Sequence, residues 1–374
     1  MEIKKKTIRI DFRHHWGHFN PEDNIFTNLL KKDYNVIIDK ENPEFVFFSV
    51  YDKKRPVYSK TLGSPLQKME RHFPGLYRLL RDIYYSGKER WKMPIIEGNF
   101  VKIFFTVENA LPKMDKCDWA FTNEFDEELK NPRHMRISNY TFYNVKDPKE
   151  LIKGKNYDTK KIMGKKTKFC VFICSNNVAF RNKFFKELCK YKKVESWGKV
   201  LNNMGQGIPL VYETEGKKSK KEVRGYIPIE FLEQYKFTIT FENASHIGYT
   251  SDRMIEPMRA DSIPIYWGNP LIEREFNTKS FINYHDFEKE IKKNIPNIFF
   301  KIPVLRWLTE KYIEESTFKK MIKRIIEIDK NDELWEEMLK QPWYNDNKPS
   351  IYLDRELIRE RLKQIIESPR QIKD

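Results

Sequence analysis

Short apolar runs alternate with amphipathic segments along most of this chain. The runs that read as buried strands are rich in Phe, Val and Ile, and most are followed by a polar loop. They are Thr7–Asp11, Asn35–Ile38, Glu44–Val50, Phe100–Thr106, Asp118–Phe121, Phe169–Cys174, Val194–Trp197, Lys236–Phe241 and Ser262–Tyr266. Helices are predicted between them at Ile25–Leu30, Phe180–Tyr191, Tyr226–Tyr235 and Asp252–Ala260. Alternating strands and helices predict α/β domains built on parallel sheets.

Two stretches interrupt this alternation and suggest how the chain divides. Val145–Lys168 is polar and Lys-rich and contains two glycines, which is typical of a linker. Tyr58–Asn99 is basic and aromatic, and Gly75–Ser86 within it has the spacing of an amphipathic helix. It could be a lid facing an acceptor or a solvated excursion. We therefore predict an N-terminal α/β domain at 1–150 with an insertion at 58–99, a C-terminal α/β domain at 151–345 and a helical tail at 346–374.

The composition of the chain limits which binding partners and which cellular compartment we expect. The 374 residues carry 70 Lys and Arg against 54 Asp and Glu, a formal net charge of +16. This excess favours an anionic partner such as a nucleotide phosphate, a nucleic acid or a membrane surface, although a generally Lys-rich surface explains it equally well. The four cysteines lack nearby histidines, which indicates free thiols rather than a zinc site. No signal peptide or membrane-spanning run is evident, so we expect a cytoplasmic protein.

The most informative stretch is Tyr235–Pro270, which reads as strand, polar loop, helix and strand. Parallel sheets bind ligands at the carboxyl ends of their strands, where this loop and the helix start must lie. The candidate ligand-binding residues here are Glu242, Asn243, Tyr249, Asp252 and Arg253.

A second strand-end loop, Ser175-Asn176, precedes a predicted helix with Arg181 in its first turn. A helix N-terminus favours phosphate, and a guanidinium can clamp a diphosphate. Neither a Walker A loop nor a GxGxxG motif is present. In the first half, Glu108 follows a buried strand, where it could be a general base or only a helix cap.

Together these features describe a GT-B glycosyltransferase, in which two Rossmann-like domains face each other across a cleft. One domain would bind a nucleotide diphosphate sugar and the other would hold the base. The chain has no Asp-x-Asp, the motif that a metal-dependent GT-A enzyme uses to hold its divalent ion. A mechanism without metal therefore fits better.

Four segments of the chain are similar to one family. The motif FTITFENASHIGYTSDRMIEPMRADSIPIYWGNP resembles the signature of the α-1,3/4-fucosyltransferases, glycosyltransferase family 10. The segments KFCVFICSNNVAFRNKFFKELCKYKKVESWGK and FFTVENALPKMDKCDWAF resemble two other family elements, and QPWYNDN matches bacterial members. The resemblance runs from about Ile8 to Asn347 and leaves out Tyr58–Asn99.

The resemblance implies a function and a role for each candidate residue. The N-terminal domain would take a glycan acceptor, for which a lipid-linked precursor of lipopolysaccharide or capsule is the candidate, and the C-terminal domain would take GDP-fucose. Transfer would be inverting and metal-free, with an α-1,3-type linkage and Glu108 as general base. Arg181 and Arg253 would neutralise the pyrophosphate. The other candidate donor contacts are Ser175, Asn176, Glu242, Asn243, Tyr249 and Asp252. Because acceptor pockets lie on variable loops, His14, His15 and Trp16 are the candidate contacts with the acceptor.

Two departures from the family pattern keep alternatives open. Asp252-Arg253 replaces the family's Glu-Lys, and Val107 replaces the glycine before the catalytic glutamate. They are compatible with another GDP-sugar donor, such as a different deoxyhexose or a heptose, or with a weakened enzyme. The basic helix Leu353–Ile366 could lie on the inner face of a membrane, or pack on its own protein. A nucleic-acid-binding protein without catalysis is a third alternative, but no recognition motif supports it.

Overall fold

The protein is described by a computed structural model that covers residues 5–17, 19–51, 93–143, 147–210 and 227–368. It consists of two compact units. Unit 1 comprises Met1–Ile137 together with Arg355–Asp374, and unit 2 comprises Ser138–Asp354. These bounds differ from the predicted division at 150 and 345, because the end of the chain belongs to the first unit.

Unit 1 contains a six-stranded parallel sheet. Its elements are β1 Thr7–Arg13, α1 Ile25–Asp33, β2 Asn35–Ile38, β3 Phe45–Phe48, β4 Val101–Phe105, β5 Trp119–Thr122, α2 Asp126–Leu129 and β6 His134–Arg136. The strand order is β2-β1-β3-β4-β5-β6. Alternate residues face opposite sides, so that Phe47 and Phe105 pack on Phe26 of α1, while Phe48 and Phe104 pack on each other.

Unit 2 contains a five-stranded parallel sheet in the order β11-β10-β9-β7-β8. Its elements are α3 Asn139–Tyr143, α4 Thr159–Lys165, β7 Lys168–Phe172, α5 Ala179–Cys189, β8 Val194–Ser196, α6 Ile229–Leu232, β9 Tyr235–Phe241, α7 Asp252–Arg259, β10 Ile263–Trp267, β11 Ile282–Asn283, α8 Tyr284–Lys292, α9 Ile298–Lys301, α10 Pro303–Lys330 and α11 Asp332–Lys340. Phe172 belongs to one hydrophobic cluster with Phe184 of α5 and Met321 of α10, whereas Val171 belongs to another cluster with Phe231. Helices therefore cover both faces, which explains the continuous apolar strands.

The elements predicted from apolar runs agree with the structure within a few residues, with three exceptions. The strands β6 and β11 were not predicted. The helix expected at Tyr226–Tyr235 is confined to Ile229–Leu232, because Tyr235 begins β9. The helix expected at Gly75–Ser86 lies outside the described residues. All four cysteines are free thiols, as predicted, and three of them are buried.

The prediction of a linker at Val145–Lys168 is wrong for the part that the structure describes, residues 147–168. Lys153 donates hydrogen bonds to the carbonyl oxygens of Leu339 and Gln341, and its Nζ lies 3.8 Å from the ring centroid of Trp343. Burial lowers the pKa of Lys153 to about 7. A Lys-rich segment can pack against a domain in this way, because the methylene stems are apolar and the ammonium ends find carbonyl or aromatic partners.

The C-terminal helix α12, Arg355–Glu367, packs on α1 in unit 1. Its apolar residues Ile358, Leu362, Ile365 and Ile366 are buried. Arg359 also donates to both carboxylate oxygens of Asp33, each at 2.6 Å. The apolar face of α12 is therefore not available to a membrane, and the alternative that this helix packs on the protein is confirmed. No helix in the described ranges has the length and apolar content needed to cross a bilayer.

Two leucines of α12 provide a test of this packing. Leu362 is 1% exposed and Leu357 is 46% exposed. We expect Leu362→Ala to lower the free energy of unfolding by about 2–5 kcal/mol, because it leaves a cavity against unit 1. Leu357→Ala should change it by less than about 0.5 kcal/mol. Urea unfolding followed by circular dichroism measures both, and equal effects would contradict the docking of α12.

Candidate active site

The loops after β7 and β9 of unit 2 are joined by Arg181. This side chain is 1% exposed. Its Nη2 donates to the carbonyl oxygen of Asn176 at 2.7 Å, and its Nη1 donates to that of Phe241 at 3.2 Å. The side-chain amides of Asn176 and Asn243 are also hydrogen bonded to each other at 3.3 Å. The predicted donor residues of both loops, with exposed Ser175 beside Asn176, thus lie together at the carboxyl edge of the sheet.

Arg181 is buried more deeply than a cation that clamps a ligand directly. Burial is the main cause that lowers the pKa of its guanidinium, and the positive charge of Arg253 adds to the shift. Two of its nitrogens are used by backbone carbonyls. Its geometry is that of a residue that fixes two loops and supplies positive charge beneath them.

Glu242, directly after β9, is the centre of the second cluster. Its side chain is 0% exposed. Ser251 donates to it twice at 2.8 Å, from its backbone N–H to Oε1 and from its hydroxyl to Oε2. Arg253 Nη1 donates to Oε2 at 3.2 Å. Burial raises the pKa of Glu242, and these partners oppose that shift. The carboxylate is therefore satisfied from within the protein and holds the start of α7 in place.

Three predicted donor residues surround the N-terminus of α7. Ser251 is the N-cap, Asp252 occupies the first turn, and Tyr249 is buried just before them. The Arg253 side chain is 27% exposed. Burial is the largest influence on Arg253 and lowers its pKa, but Glu242, Asp252 and Tyr249 together raise the pKa by more, so the net shift is upward. Arg253 is thus a permanent cation with part of its surface available to a ligand.

A network that sequence reasoning missed supports this loop from behind. Thr250 donates to one carboxylate oxygen of Glu275 at 2.9 Å, and Tyr140 donates to the other at 2.6 Å. Asn269 accepts from the backbone N–H of Gly248 at 2.9 Å. Asn269 could have been found from the WGN motif in which it stands, but Tyr140 and Glu275 carry no local signal because their partners are distant in sequence.

Gly268 is required by a close approach. A Cβ atom at this position would lie 2.5 Å from Glu242 Cγ and 2.6 Å from the Tyr266 hydroxyl. These distances are too short for any side chain. The end of β10 therefore packs directly against the buried carboxylate.

The candidate residues of unit 1 meet at the carboxyl edge of its own sheet. Glu108 follows β4, and its Oε1 accepts a hydrogen bond from the Tyr51 hydroxyl at 2.5 Å. The ring of Trp16, after β1, meets the ring of Tyr51 edge-on with centroids 5.8 Å apart. The carbonyl oxygen of His14 accepts from the backbone N–H of Tyr51 at 2.9 Å. Tyr51, which was not predicted, connects the acceptor candidates with the candidate base.

His15 lies in this region but points into the protein. Its ring stacks on Phe19 with centroids 4.1 Å apart, and its Nε2 is 3.3 Å from the carbonyl oxygen of Phe47. Burial lowers the pKa of His15 to about 3, so that the imidazole stays neutral. These contacts are those of a packing residue rather than of a proton carrier.

The replacement of glycine by Val107 causes no backbone strain. Among the described residues, the non-glycine positions with positive φ are His14, Lys130, Leu201, Asp261, Asp346 and Asn347. Val107 is buried and is not one of them. The backbone before Glu108 therefore does not need glycine.

Comparison with known proteins identifies the domain that holds the donor candidates. Residues 163–296 match the family model for glycosyltransferase family 10 (fucosyltransferase), C-terminal part. An alpha-(1,3)-fucosyltransferase of Helicobacter pylori is 30% identical over 219 residues, which are 51% of this chain and 42% of that protein. A putative fucosyltransferase of Acanthamoeba polyphaga mimivirus is 28% identical over 190 residues, 51% of this chain and 26% of that protein. The chain thus spans less than half the length of these relatives.

Solved structures show the same fold over nearly the whole chain. A crystal structure of an alpha1,3-fucosyltransferase with GDP-fucose aligns with a TM-score of 0.63 and 21% identity, covering 100% of this chain and 94% of that one. A crystal structure of an alpha1,3-fucosyltransferase with GDP aligns with a TM-score of 0.62 and 22% identity, covering 98% and 92%. The predicted GT-B class is confirmed. Residues 163–296 are similar to the C-terminal part of glycosyltransferase family 10.

Proposed function

We propose that this protein is an inverting, metal-independent glycosyltransferase that moves fucose from GDP-fucose to a hydroxyl of a glycan in an α-1,3-type linkage. The observation that carries the proposal is the pair of loops joined by Arg181, since both lie within the residues that match the family model. The similar fucosyltransferase solved with GDP-fucose supports this donor. The acceptor we propose is a lipid-linked or surface polysaccharide precursor, such as one for lipopolysaccharide or capsule, modified in the cytoplasm.

On the donor side, the protein must stabilise the charge that grows on the pyrophosphate as GDP leaves. Arg253 is the side chain placed to contact it, because its guanidinium is partly exposed and is held by Glu242. Arg181 acts from below by fixing the loops of Asn176 and Glu242 and by its charge. Asn243, Tyr249 and Asp252 then contact the nucleotide and the sugar.

On the acceptor side, Glu108 takes the proton of the attacking hydroxyl. The oxygen forms a bond with the anomeric carbon from the face opposite the diphosphate, and the bond to GDP breaks with its electron pair, which inverts the configuration. Tyr51 donates to Oε1 of Glu108 and so fixes the direction of the carboxylate. The second carboxylate oxygen remains to accept the proton. Tyr51 is a positioning residue, and Trp16 packs against its ring.

A different GDP-sugar donor is the second candidate. Arg253 presents a planar fork in place of the family's lysine, and the Asp252 carboxylate is one methylene shorter than glutamate, so the sugar pocket can differ in shape. Within the described residues no group of three or more His, Cys, Asp and Glu side chains could hold a metal ion. Independence from metal nevertheless stays a prediction.

Transfer assays test the reaction and its base together. We expect transfer from GDP-fucose that survives EDTA, and we expect Glu108→Gln to abolish it with GDP affinity nearly intact, because an amide cannot accept the proton. Glu41→Gln, on an exposed loop of unit 1, is the matched control and should remain active.

Four results would count against this assignment. Full activity of Glu108→Gln would rule out Glu108 as the general base. Loss of activity on chelation would rule out the metal-free mechanism. Transfer from another GDP-sugar but not from GDP-fucose would favour the second candidate. Salt-sensitive binding to nucleic acid without any transfer would favour the non-catalytic alternative.

Removal of the Tyr51 hydroxyl should affect turnover rather than donor binding. We expect Tyr51→Phe to lower kcat by about tenfold, because the variant loses one hydrogen bond to a charged group. KM for GDP-fucose should stay nearly unchanged. Tyr34→Phe removes a comparable bond in unit 1, to Glu367 at 3.2 Å, and should have no kinetic effect. If the two variants lose turnover equally, Tyr51 does not position the base.

A double variant separates the two roles of Arg253. Arg253→Met should weaken GDP binding and also lower the free energy of unfolding by about 3–5 kcal/mol, because Glu242 is left buried without its cation. Adding Glu242→Gln should restore much of the stability but not the affinity for GDP. Calorimetry with GDP and urea unfolding measure the two quantities. Recovery of GDP affinity in the double variant would show that Arg253 is only structural.

A further inference from the structure

Unit 2 exposes an apolar surface that the proposed reaction does not use. Six large hydrophobic side chains between residues 298 and 312 are 39% to 68% exposed. We define them as the apolar face: Ile298, Phe299, Ile302, Val304, Leu308 and Tyr312. Isolated exposed hydrophobics are ordinary on a protein surface, but a concentration of this kind marks a binding surface.

The arrangement of α10 explains why this surface is exposed. Val304, Leu308 and Tyr312 are spaced four residues apart and so form one stripe along the helix. The buried positions of α10 are Thr309, Ile313, Glu314, Thr317, Phe318, Met321, Ile325 and Ile328. The first turn and a half of α10 therefore contributes nothing to the core, and the stripe continues the surface that begins with α9.

Basic residues surround the apolar face. Between residues 292 and 312 the chain has five cations, Lys292, Lys293, Lys301, Arg306 and Lys311, and only one acidic residue, Glu310. All five are exposed. Two of them make surface ion pairs, Lys292 with Glu288 at 2.9 Å and Arg306 with Glu310 at 2.7 Å. Exposed pairs of this kind contribute little and do not prevent a cation from meeting another anion.

The combination of features identifies the chemistry of the partner. Apolar side chains, a rim of Lys and Arg, and aromatic residues such as Trp307 and Tyr312 are what an interfacial helix needs to lie among lipid headgroups. A second copy of the chain is less suitable, because a symmetric contact through this face would bring the cations of both copies together. An acidic surface with an apolar layer beneath it satisfies both parts of the face.

We propose that α9 and the first three turns of α10 form a membrane-binding face that inserts Ile298, Phe299, Val304, Leu308 and Tyr312 into an anionic lipid surface. This inference does not depend on the proposed reaction. It also assigns membrane contact to a different segment from the C-terminal helix α12, which buries Ile358, Leu362, Ile365 and Ile366. A transferase that uses a lipid-linked acceptor would be held beside its substrate by such a face.

Vesicle sedimentation tests the face directly. The full chain is mixed with vesicles of phosphatidylcholine alone, or of equal parts phosphatidylcholine and phosphatidylglycerol. We expect binding to the anionic vesicles only, and we expect the triple variant Val304→Ser, Leu308→Ser, Tyr312→Ser to bind at least about tenfold more weakly, since it removes apolar area that enters the lipid. The matched control replaces three comparably exposed residues elsewhere: Ile37→Ser, Ile351→Ser and Leu357→Ser.

A second variant keeps the test independent of folding effects. This variant combines three substitutions of exposed cations: Lys293→Glu, Lys301→Glu and Lys311→Glu. It should no longer bind anionic vesicles, and its thermal unfolding midpoint should be unchanged. Failure of the unaltered chain to bind anionic vesicles overturns the proposal. The proposal is also overturned if the triple serine variant of the apolar face and the triple serine control variant weaken vesicle binding equally. Concentration-dependent dimerisation that the patch triple abolishes would instead assign the face to a second copy of the chain.

Discussion

The buried carboxylate of Glu242 is the constraint on which the strand-end loops of unit 2 depend. Glu242 can remain buried only because Ser251 and Arg253 supply hydrogen bonds and charge. Its partners come from the N-terminus of α7. Gly268 packs so closely against the side chain of Glu242 that a Cβ atom would not fit between them. Few loop geometries satisfy all of these contacts, so the buried charge determines where Tyr249, Asp252 and Arg253 are displayed.

The two glutamates after strand ends show how environment separates structure from chemistry. Glu242 is fully enclosed and both of its oxygens are occupied from within. Glu108 is only half-buried, and the Tyr51 hydroxyl bonds to one of its oxygens. The hydrogen bonds around Glu242 fix its position, which suits a residue that positions others. The arrangement around Glu108 leaves a carboxylate oriented and reachable, as a general base must be.

Sequence patterns were sufficient for elements whose signal is local. Apolar runs predicted most strands because buried parallel strands are continuously hydrophobic, and β6 and β11 were missed because they are only two or three residues long. The loops of Asn176 and Asn243 were each recognised as strand-end loops, and they meet because parallel strands end at one edge of the sheet. Burial was not predictable: Arg181 reads as an exposed clamp in the sequence and is enclosed in the structure. Tyr51 was overlooked because its role depends on Glu108, which is distant in the chain.

The discontinuity of unit 1 has a consequence for synthesis. The ribosome completes Met1–Ile137 first, but α12, which covers α1, emerges only after all of Ser138–Asp354. Unit 2 is contiguous and can fold as soon as it has left the exit tunnel. Until α12 has been synthesised, the surface of unit 1 that packs on Ile358 and Leu362 stays exposed. Unit 1, although its first part is translated earlier, can therefore complete its packing only after unit 2 has been synthesised.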